Sequence, residues 1–336
     1  MPPLGHYPTP VQRLPSLSAP GAELWVKRDD RTHDVYGGNK VRKLEYVLAD
    51  ARARGARRLV TVGAVGSHHV LATTYFGRQA GFEVEAVLVP QPRTDHVIEV
   101  LRADLGLGLR PFAVRSWGAA PAAVAARVLR GAYLVTVGGS SAVGTQGYVD
   151  AGKELAAQVR QGALPEPDVC VVALGSGGTA AGLAVGFAAA GLRTRVVGVC
   201  VSSPPWALRL AAGHLARVCS RRAGVRGAHL TMDTRFLGAG YGHVTAAGDE
   251  ATELARGAGL AVDPTYTAKA LACALWFVRA RQAGSVLYWH TLSSAPMGPL
   301  LRGAPEESMI PRELLALALV ARPPHDRRQA RRMALT

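Results

Sequence analysis

Two glycines and an asparagine precede a lysine in the run Tyr36-Gly37-Gly38-Asn39-Lys40-Val41-Arg42-Lys43-Leu44-Glu45, which opens an amphipathic helical stretch. Placed there, Lys40 is a candidate for a buried amine, and a buried lysine loses its proton and condenses with carbonyls. Taken alone, the run also fits a turn before a helix with its lysine in solvent. A second run weighs against that. Gly175-Ser176-Gly177-Gly178-Thr179 lies between the apolar stretch Val169 to Leu174 and the helical stretch Ala180 to Ala190. A glycine-rich turn between strand and helix offers backbone N–H groups and the positive helix end to a phosphate. The hydroxyls of Ser176 and Thr179 would add donors. The pattern is not G-x-G-x-x-G, and no acidic residue stands about twenty positions onward to take a ribose, so a dinucleotide is disfavoured.

Three further runs hold candidate side chains. Ser67-His68-His69 follows a strand-like run ending near Gly63. Serine there can cap a helix, and the N–H groups behind it can bind a carboxylate; the plainer alternative is a capped helix with exposed histidines. Asp263-Pro264-Thr265-Tyr266-Thr267 is a turn before the helical stretch Ala268 to Arg281, where Thr267 can serve as the helix cap. Gly240-Tyr241-Gly242 places Tyr241 either at a pocket rim or in packing.

Apolar runs alternate with helical ones to position these groups: Leu59 to Val62, Val84 to Val89, Leu134 to Val137, Val169 to Leu174, Val196 to Val201 and Val286 to Trp289, with Ala119 to Arg130 and Tyr148 to Arg160 among the intervening helices. Such alternation implies an α/β protein with parallel sheets flanked by helices. Its ligand belongs in a cleft at the carboxyl ends of the strands. A chain of 336 residues can bury a large core and divide into two lobes.

Hydrophobic residues make up 49%, yet no uninterrupted apolar run is long enough for a membrane span, and residues 1–6 do not read as a secretory signal. Cys170, Cys200, Cys219 and Cys273 have no C-x-x-C pairing, which points to reduced thiols in a cytoplasmic setting and away from structural zinc; no metal site is expected. A net charge of +15 raises nucleic acid as a partner. The arginines are scattered and come without a recognition motif, so nucleic-acid binding is not expected. The cluster Arg322, Arg327, Arg328, Arg331 and Arg332 reads as a solvated or disordered basic tail over 321–336.

An imine-forming amine facing a phosphate cup is what pyridoxal 5'-phosphate requires. With Tyr7-Pro8-Thr9-Pro10, Leu24-Trp25-Val26-Lys27-Arg28-Asp29-Asp30 and His290-Thr291, the runs above resemble the pyridoxal-phosphate family of 1-aminocyclopropane-1-carboxylate deaminase and D-cysteine desulfhydrase. The resemblance covers nearly the whole chain. It implies a two-lobed tryptophan-synthase-β-like fold with the cofactor between a small lobe, 41–142, and a large cofactor-binding lobe, 1–40 with 143–336. It also implies a homodimer. Cofactor binding would fall to Lys40, Asn39, His68, Gly175, Ser176, Gly177, Gly178, Thr179 and Thr267. Catalysis would fall to Lys40, Ser67 and Tyr266, and substrate contact to Ser67, His68, His69, Tyr241 and Tyr266. Arg42 and Lys43 either lend positive field to Lys40 or face solvent.

The chain departs from the family at three places. His68 stands where the family has asparagine, bringing a larger group that changes charge near neutral pH. Leu71 replaces a frequent arginine. Leu292-Ser293-Ser294 replaces a pair of glycines. Thr267 stands where the deaminases have glutamate and the desulfhydrases threonine, and a hydroxyl there would favour a neutral cofactor ring and prompt loss of a β substituent. The implied activity is therefore β-elimination on a small amino acid, D-cysteine or a related β-substituted alanine, to pyruvate and ammonia. The alternatives are β-replacement, 1-aminocyclopropane-1-carboxylate deamination, and a cofactor-binding protein with little turnover.

Overall fold

The computed structural model describes residues 3–319, so the basic tail lies outside the described residues. In chain order the strands are β1 (Val11–Arg13), β2 (Glu23–Arg28), β3 (Arg58–Ala64), β4 (Glu83–Val89), β5 (Gln91–Pro92), β6 (Arg110–Ala113), β7 (Tyr133–Leu134), β8 (Val169–Leu174), β9 (Arg195–Cys200), β10 (Leu230–Asp233), β11 (Ser285–His290) and β12 (Ala318–Leu319). The helices are α1 (Asn39–Ala53), α2 (His68–Gln79), α3 (Asp95–Gly106), α4 (Ala120–Val128), α5 (Gln146–Arg160), α6 (Gly178–Ala189), α7 (Pro205–Ala223), α8 (Ala246–Gly257), α9 (Thr267–Arg279), α10 (Gly298–Leu301) and α11 (Arg312–Leu315).

Six strands form one sheet in the order β1-β2-β11-β8-β9-β10, parallel except for β1. Four form a second, wholly parallel sheet in the order β6-β4-β3-β7. Strand pleating sends alternate residues to opposite faces. In β8, Val169, Val171 and Ala173 join Leu271, Leu275 and Val278 of α9, while Cys170, Val172 and Leu174 join Leu155 of α5 and Leu183 and Phe187 of α6. Both faces are covered, which is why these strands read as continuous apolar runs. On the smaller sheet, Val84, Ala86 and Leu88 face α1, α2 and α3, and Val87 and Val89 face α4. The apolar run Leu134 to Val137 yields strand only at 133–134. It turns at Val137–Gly139, where Gly138 and Gly139 take φ of 63° and 64°.

Segment 297–319, expected with the larger lobe, packs instead on the smaller sheet. Leu300, Ile310, Leu314 and Leu317 enter the same core as Val41, Leu44 and Phe76, and β12 pairs with β5. Among the described residues no helix is long and apolar enough to cross a membrane. All four cysteines are buried and free.

A buried ionic network joins β2, α1, α5 and β11. Arg42 gives hydrogen bonds to Asp29 (2.9 Å) and Glu154 (2.8 Å) and lies over the Tyr7 ring. Lys27 binds Glu154, Gln158 and the Thr9 carbonyl, and the Trp289 indole and Tyr148 hydroxyl both donate to Asp29. Burial alone would raise the Asp29 carboxyl, but Arg42 and Lys27 outweigh it and hold the group below its ordinary range. Arg42 therefore belongs to the frame of the fold and neither faces solvent nor lies free beside Lys40. Arg42→Ala would leave the buried Asp29 carboxylate without its ion-pair partner, while Glu154 keeps Lys27, and removing one partner of a buried pair costs about 3–5 kcal/mol. Urea unfolding of the purified variant should show a loss of that size; a change below about 1 kcal/mol would make the network incidental.

Candidate active site

Lys40 is the second residue of α1. The turn before it is fixed by Gly38, whose φ of 89° is glycine's region and where a Cβ would meet the Thr291 carbonyl oxygen at 2.7 Å. The Asn39 N–H donates to that same carbonyl and the Gly37 N–H to Ser293 Oγ, while Ser294 binds the Asp30 carbonyl. The serines of the Leu292-Ser293-Ser294 departure thus hold the turn that delivers Lys40. Lys40 Nζ donates to Asn39 Oδ1 at 2.7 Å, and Asn39 Nδ2 donates to Thr179 Oγ1 at 3.2 Å. The two runs separated by about 140 residues meet through one asparagine. Burial pushes the Lys40 amine down to about 8, with the Asp263 carboxylate opposing.

The loop from Gly175 to Thr179 leads from β8 into α6, whose first N–H groups have no intrahelical partner. Gly177 has φ of 89°, and a Cβ there would meet Ala212 Cα of α7 at 2.9 Å; one on Gly175 would meet the Tyr266 ring at 2.8 Å. Behind the loop, Ser140 Oγ accepts from the Gly178 N–H, lies 2.8 Å from Ser176 Oγ and accepts from Lys43 Nζ at 3.0 Å. Lys43 is buried and pairs with no carboxylate among the described residues; burial, then the charge of Lys40, holds its amine well below the ordinary lysine value. A cradle of free helix-end N–H groups, closely approached glycines and an uncompensated buried amine fits a phosphate. The sequence reading missed Ser140 altogether. Its only local signal is a serine after the two glycines at 138–139.

Ser67 precedes α2 in extended conformation, yet its hydroxyl does not cap the helix. His68 opens α2 and lies 2.9 Å from the Tyr36 hydroxyl through Nδ1. His69, expected on the substrate side, is buried, with Nε2 2.8 Å from Thr61 Oγ1. Since that hydroxyl donates to the Val135 carbonyl, His69 is the donor, and it packs into the smaller sheet. Leu71 is buried in the same core.

Asp263 is the residue that sequence reading undervalued. Its carboxylate accepts from the N–H groups of Thr265, Tyr266 and Thr267 and so caps α9. Thr267 gives its hydroxyl proton to Asp263 Oδ2 at 2.6 Å and accepts from the Asp263 N–H at 2.7 Å. Asp263, then, is the helix cap that Thr267 was read as a candidate for. The one proton of the Thr267 hydroxyl is given to Asp263 in this arrangement. Tyr266 lies against Gly175 and packs edge-on to Tyr241 with ring centroids 5.6 Å apart. The turn bearing Tyr241 is held from α9, where buried Lys269 donates to the carbonyls of Leu237 and Gly240.

Residues 3–291 match the family described as "Pyridoxal-phosphate dependent enzyme". The chain belongs to that family. Its cofactor is pyridoxal phosphate, as the paired amine and phosphate cradle require. A relative from Pyrococcus furiosus named "Putative 1-aminocyclopropane-1-carboxylate deaminase" is 35% identical over 297 residues, 85% of this chain and 89% of the relative. One from Salmonella paratyphi A named "D-cysteine desulfhydrase" is 34% identical over 316 residues, 84% and 91%. A solved structure of an ACC deaminase homologue superposes with a TM-score of 0.76 at 30% identity, covering 94% of this chain and 95% of that one. The fold is shared with the processed form of threonine deaminase isoform 2 from Solanum lycopersicum, with a TM-score of 0.63 at 16% identity, covering 92% of this chain and 83% of that one.

Proposed function

We propose that this pyridoxal-phosphate enzyme removes a β substituent from a small amino acid, D-cysteine or a related β-substituted alanine, leaving pyruvate and ammonia. The observation that carries the reading is the hydrogen-bonded line from Lys40 Nζ through Asn39 to Thr179 Oγ1, which sets a partly deprotonated amine beside a phosphate cradle. Bound there, the cofactor supplies an electron-withdrawing ring. Lys40 holds the cofactor aldehyde and takes the proton from the substrate Cα. Gly175, Ser176, Gly177, Gly178 and Thr179, with Ser140 and Lys43 behind them, hold the phosphate. The N–H groups behind Ser67 receive the substrate carboxylate, while His68, Tyr266 and Tyr241 line the reacting side. The relative named D-cysteine desulfhydrase supports the substrate class.

A second reading, ring-opening deamination of 1-aminocyclopropane-1-carboxylate, gains from Thr267. If its oxygen meets the ring nitrogen, as the resemblance implies, it can only accept there, with the Asp263 carboxylate behind it. That favours a protonated ring, the setting a longer-lived carbanion needs. We read the protein as a homodimer in a reducing, cytoplasmic compartment, supported by four free buried cysteines and by exposed Trp206 and Leu210 on α7.

Measuring keto-acid release from D-cysteine, L-cysteine, β-chloroalanine and the cyclopropane amino acid, with and without added thiol, separates these readings. Pyruvate from D-cysteine and β-chloroalanine is expected. Turnover of the cyclopropane substrate alone would replace the first reading with the second, and a thioether product in place of pyruvate would mean β-replacement. A loaded protein that turns over none would be a cofactor binder.

A further inference from the structure

His68 does not end at the cleft. Its Nε2 lies 2.8 Å from Nε2 of His96 on α3, and His96 Nδ1 lies 3.5 Å from Glu99 Oε2. On the inner side, Tyr36 OH lies 2.9 Å from both His68 Nδ1 and the His68 carbonyl oxygen. Tyr36 is buried, His68 half-buried, and His96 exposed. The line therefore runs from Tyr36, in the turn before α1, through His68 of α2 to His96 and Glu99 of α3 at the surface, four titratable groups on three separate segments.

Counting protons shows that it has two self-consistent settings. In the first, Tyr36 O–H donates to His68 Nδ1, His68 Nε2–H donates to His96 Nε2, and His96 Nδ1–H faces solvent beside the Glu99 carboxylate 3.5 Å away. In the second, His96 carries one more proton. Its Nδ1–H still faces solvent beside Glu99, its Nε2–H donates to His68 Nε2, His68 Nδ1–H donates to Tyr36, and the Tyr36 proton turns to the His68 carbonyl. Every group has an acceptor for each proton in both settings, which a proton-conducting chain requires.

We propose that Tyr36, His68 and His96 form a proton relay between solvent and the active-site cleft, in which His96 is a positioning residue that collects protons for His68. This deepens the reading above and rests on it. A β substituent leaves with the electron pair of its bond to carbon and takes up a proton. As it does, an N–H bond breaks on His96 Nε2 and one forms on His68 Nε2; the His68 Nδ1–H breaks as an O–H forms on Tyr36, whose own proton passes into the cleft. Water then reprotonates His96. Burial, followed by the charge of His96, holds His68 below the ordinary histidine value, with Lys40 acting in the same direction and Asp263 opposing. His68 so rests neutral and is ready to pass a proton.

The test is His96→Asn in the cofactor-loaded protein, read in two ways. Proton transfer by a placed group contributes about 10²–10⁴-fold, so losing the outer member should lower kcat about tenfold with KM unchanged. The limb of the kcat profile that falls with rising pH should disappear, and free imidazole should restore the rate. Independently of turnover, exchange of the His68 ring protons with water, followed by NMR on histidine-labelled protein, should slow in the variant. Unchanged exchange would overturn the relay, and slowed exchange with an unchanged kcat profile would overturn its part in the reaction. A wild-type protein that eliminates nothing from any amino acid would instead refute the proposed function, leaving the relay to be judged on exchange alone.

Discussion

Lys40→Ala should hold no covalently attached cofactor and lose activity by about 10⁴-fold or more, since the same amine is asked both to anchor the cofactor and to move a proton. Borohydride treatment followed by mass spectrometry of the peptides should find the label on residue 40 in the wild type and nowhere in the variant. A label on another lysine would remove Lys40 from its role. The fold should survive, because Lys40 Nζ binds only its neighbour Asn39 among the described residues, whereas Lys27 and Lys43 are tied into the interior. The lowered amine pKa gives a second readout. A neutral amine attacks the aldehyde, so the rate of cofactor capture by the apoprotein should climb with pH and level off above about 8, where burial has placed Lys40. An ordinary exposed lysine would keep climbing toward the usual lysine value of about 10.4.

Gly177→Val should weaken cofactor binding about a hundredfold, some 2.8 kcal/mol at 1.4 kcal/mol per decade, while kcat at saturating cofactor stays within a few-fold. Two costs combine. A β-branched residue is strained at a φ of 89°, and its Cβ would press on the backbone of α7 at Ala212. Relief comes only by shifting the loop to which we assign the phosphate. Gly162→Val is the matched control: φ is 76° there, but a Cβ would meet nothing within 4 Å. It should share the strain and spare the affinity. Equal cofactor affinities for wild type and Gly177→Val by equilibrium dialysis would take this loop out of the site.

What could be read from sequence was whatever is encoded locally. The glycines flanking Lys40 and preceding α6 advertise turns, and β3, β4, β8, β9 and β11 appear as apolar runs because both faces of each are covered. Six residues of β8 suffice to show it. What stayed hidden depends on long-range partners. Arg42 looks like any surface arginine of an amphipathic helix until Asp29 and Glu154, 13 and 112 residues away, are brought to it. His68 and His96 lie 28 residues apart on different helices, and no spacing rule joins them. Asp263 passed as a turn residue because Asp-Pro is a common turn start, and its grip on Thr267 shows only when α9 is in place. His69 was misdirected by its neighbour. Consecutive residues of a helix diverge by about 100°, so with His68 turned to Tyr36 and His96, His69 points toward the sheet.

Lys40 and Lys43 stand three residues apart on one helix, and burial depresses both amines. Both amines therefore give up a proton more readily than an ordinary lysine. In the proposed site a phosphate dianion would favour the charged form of Lys43, while Lys40 would give up its amine to hold the cofactor aldehyde. Loading is thus an acid–base event as much as a binding event. Its apparent affinity shifts with pH in step with the protons exchanged, and its heat, measured by titration calorimetry in buffers of different ionisation enthalpy, contains a buffer-dependent part equal to the number of protons exchanged times that enthalpy.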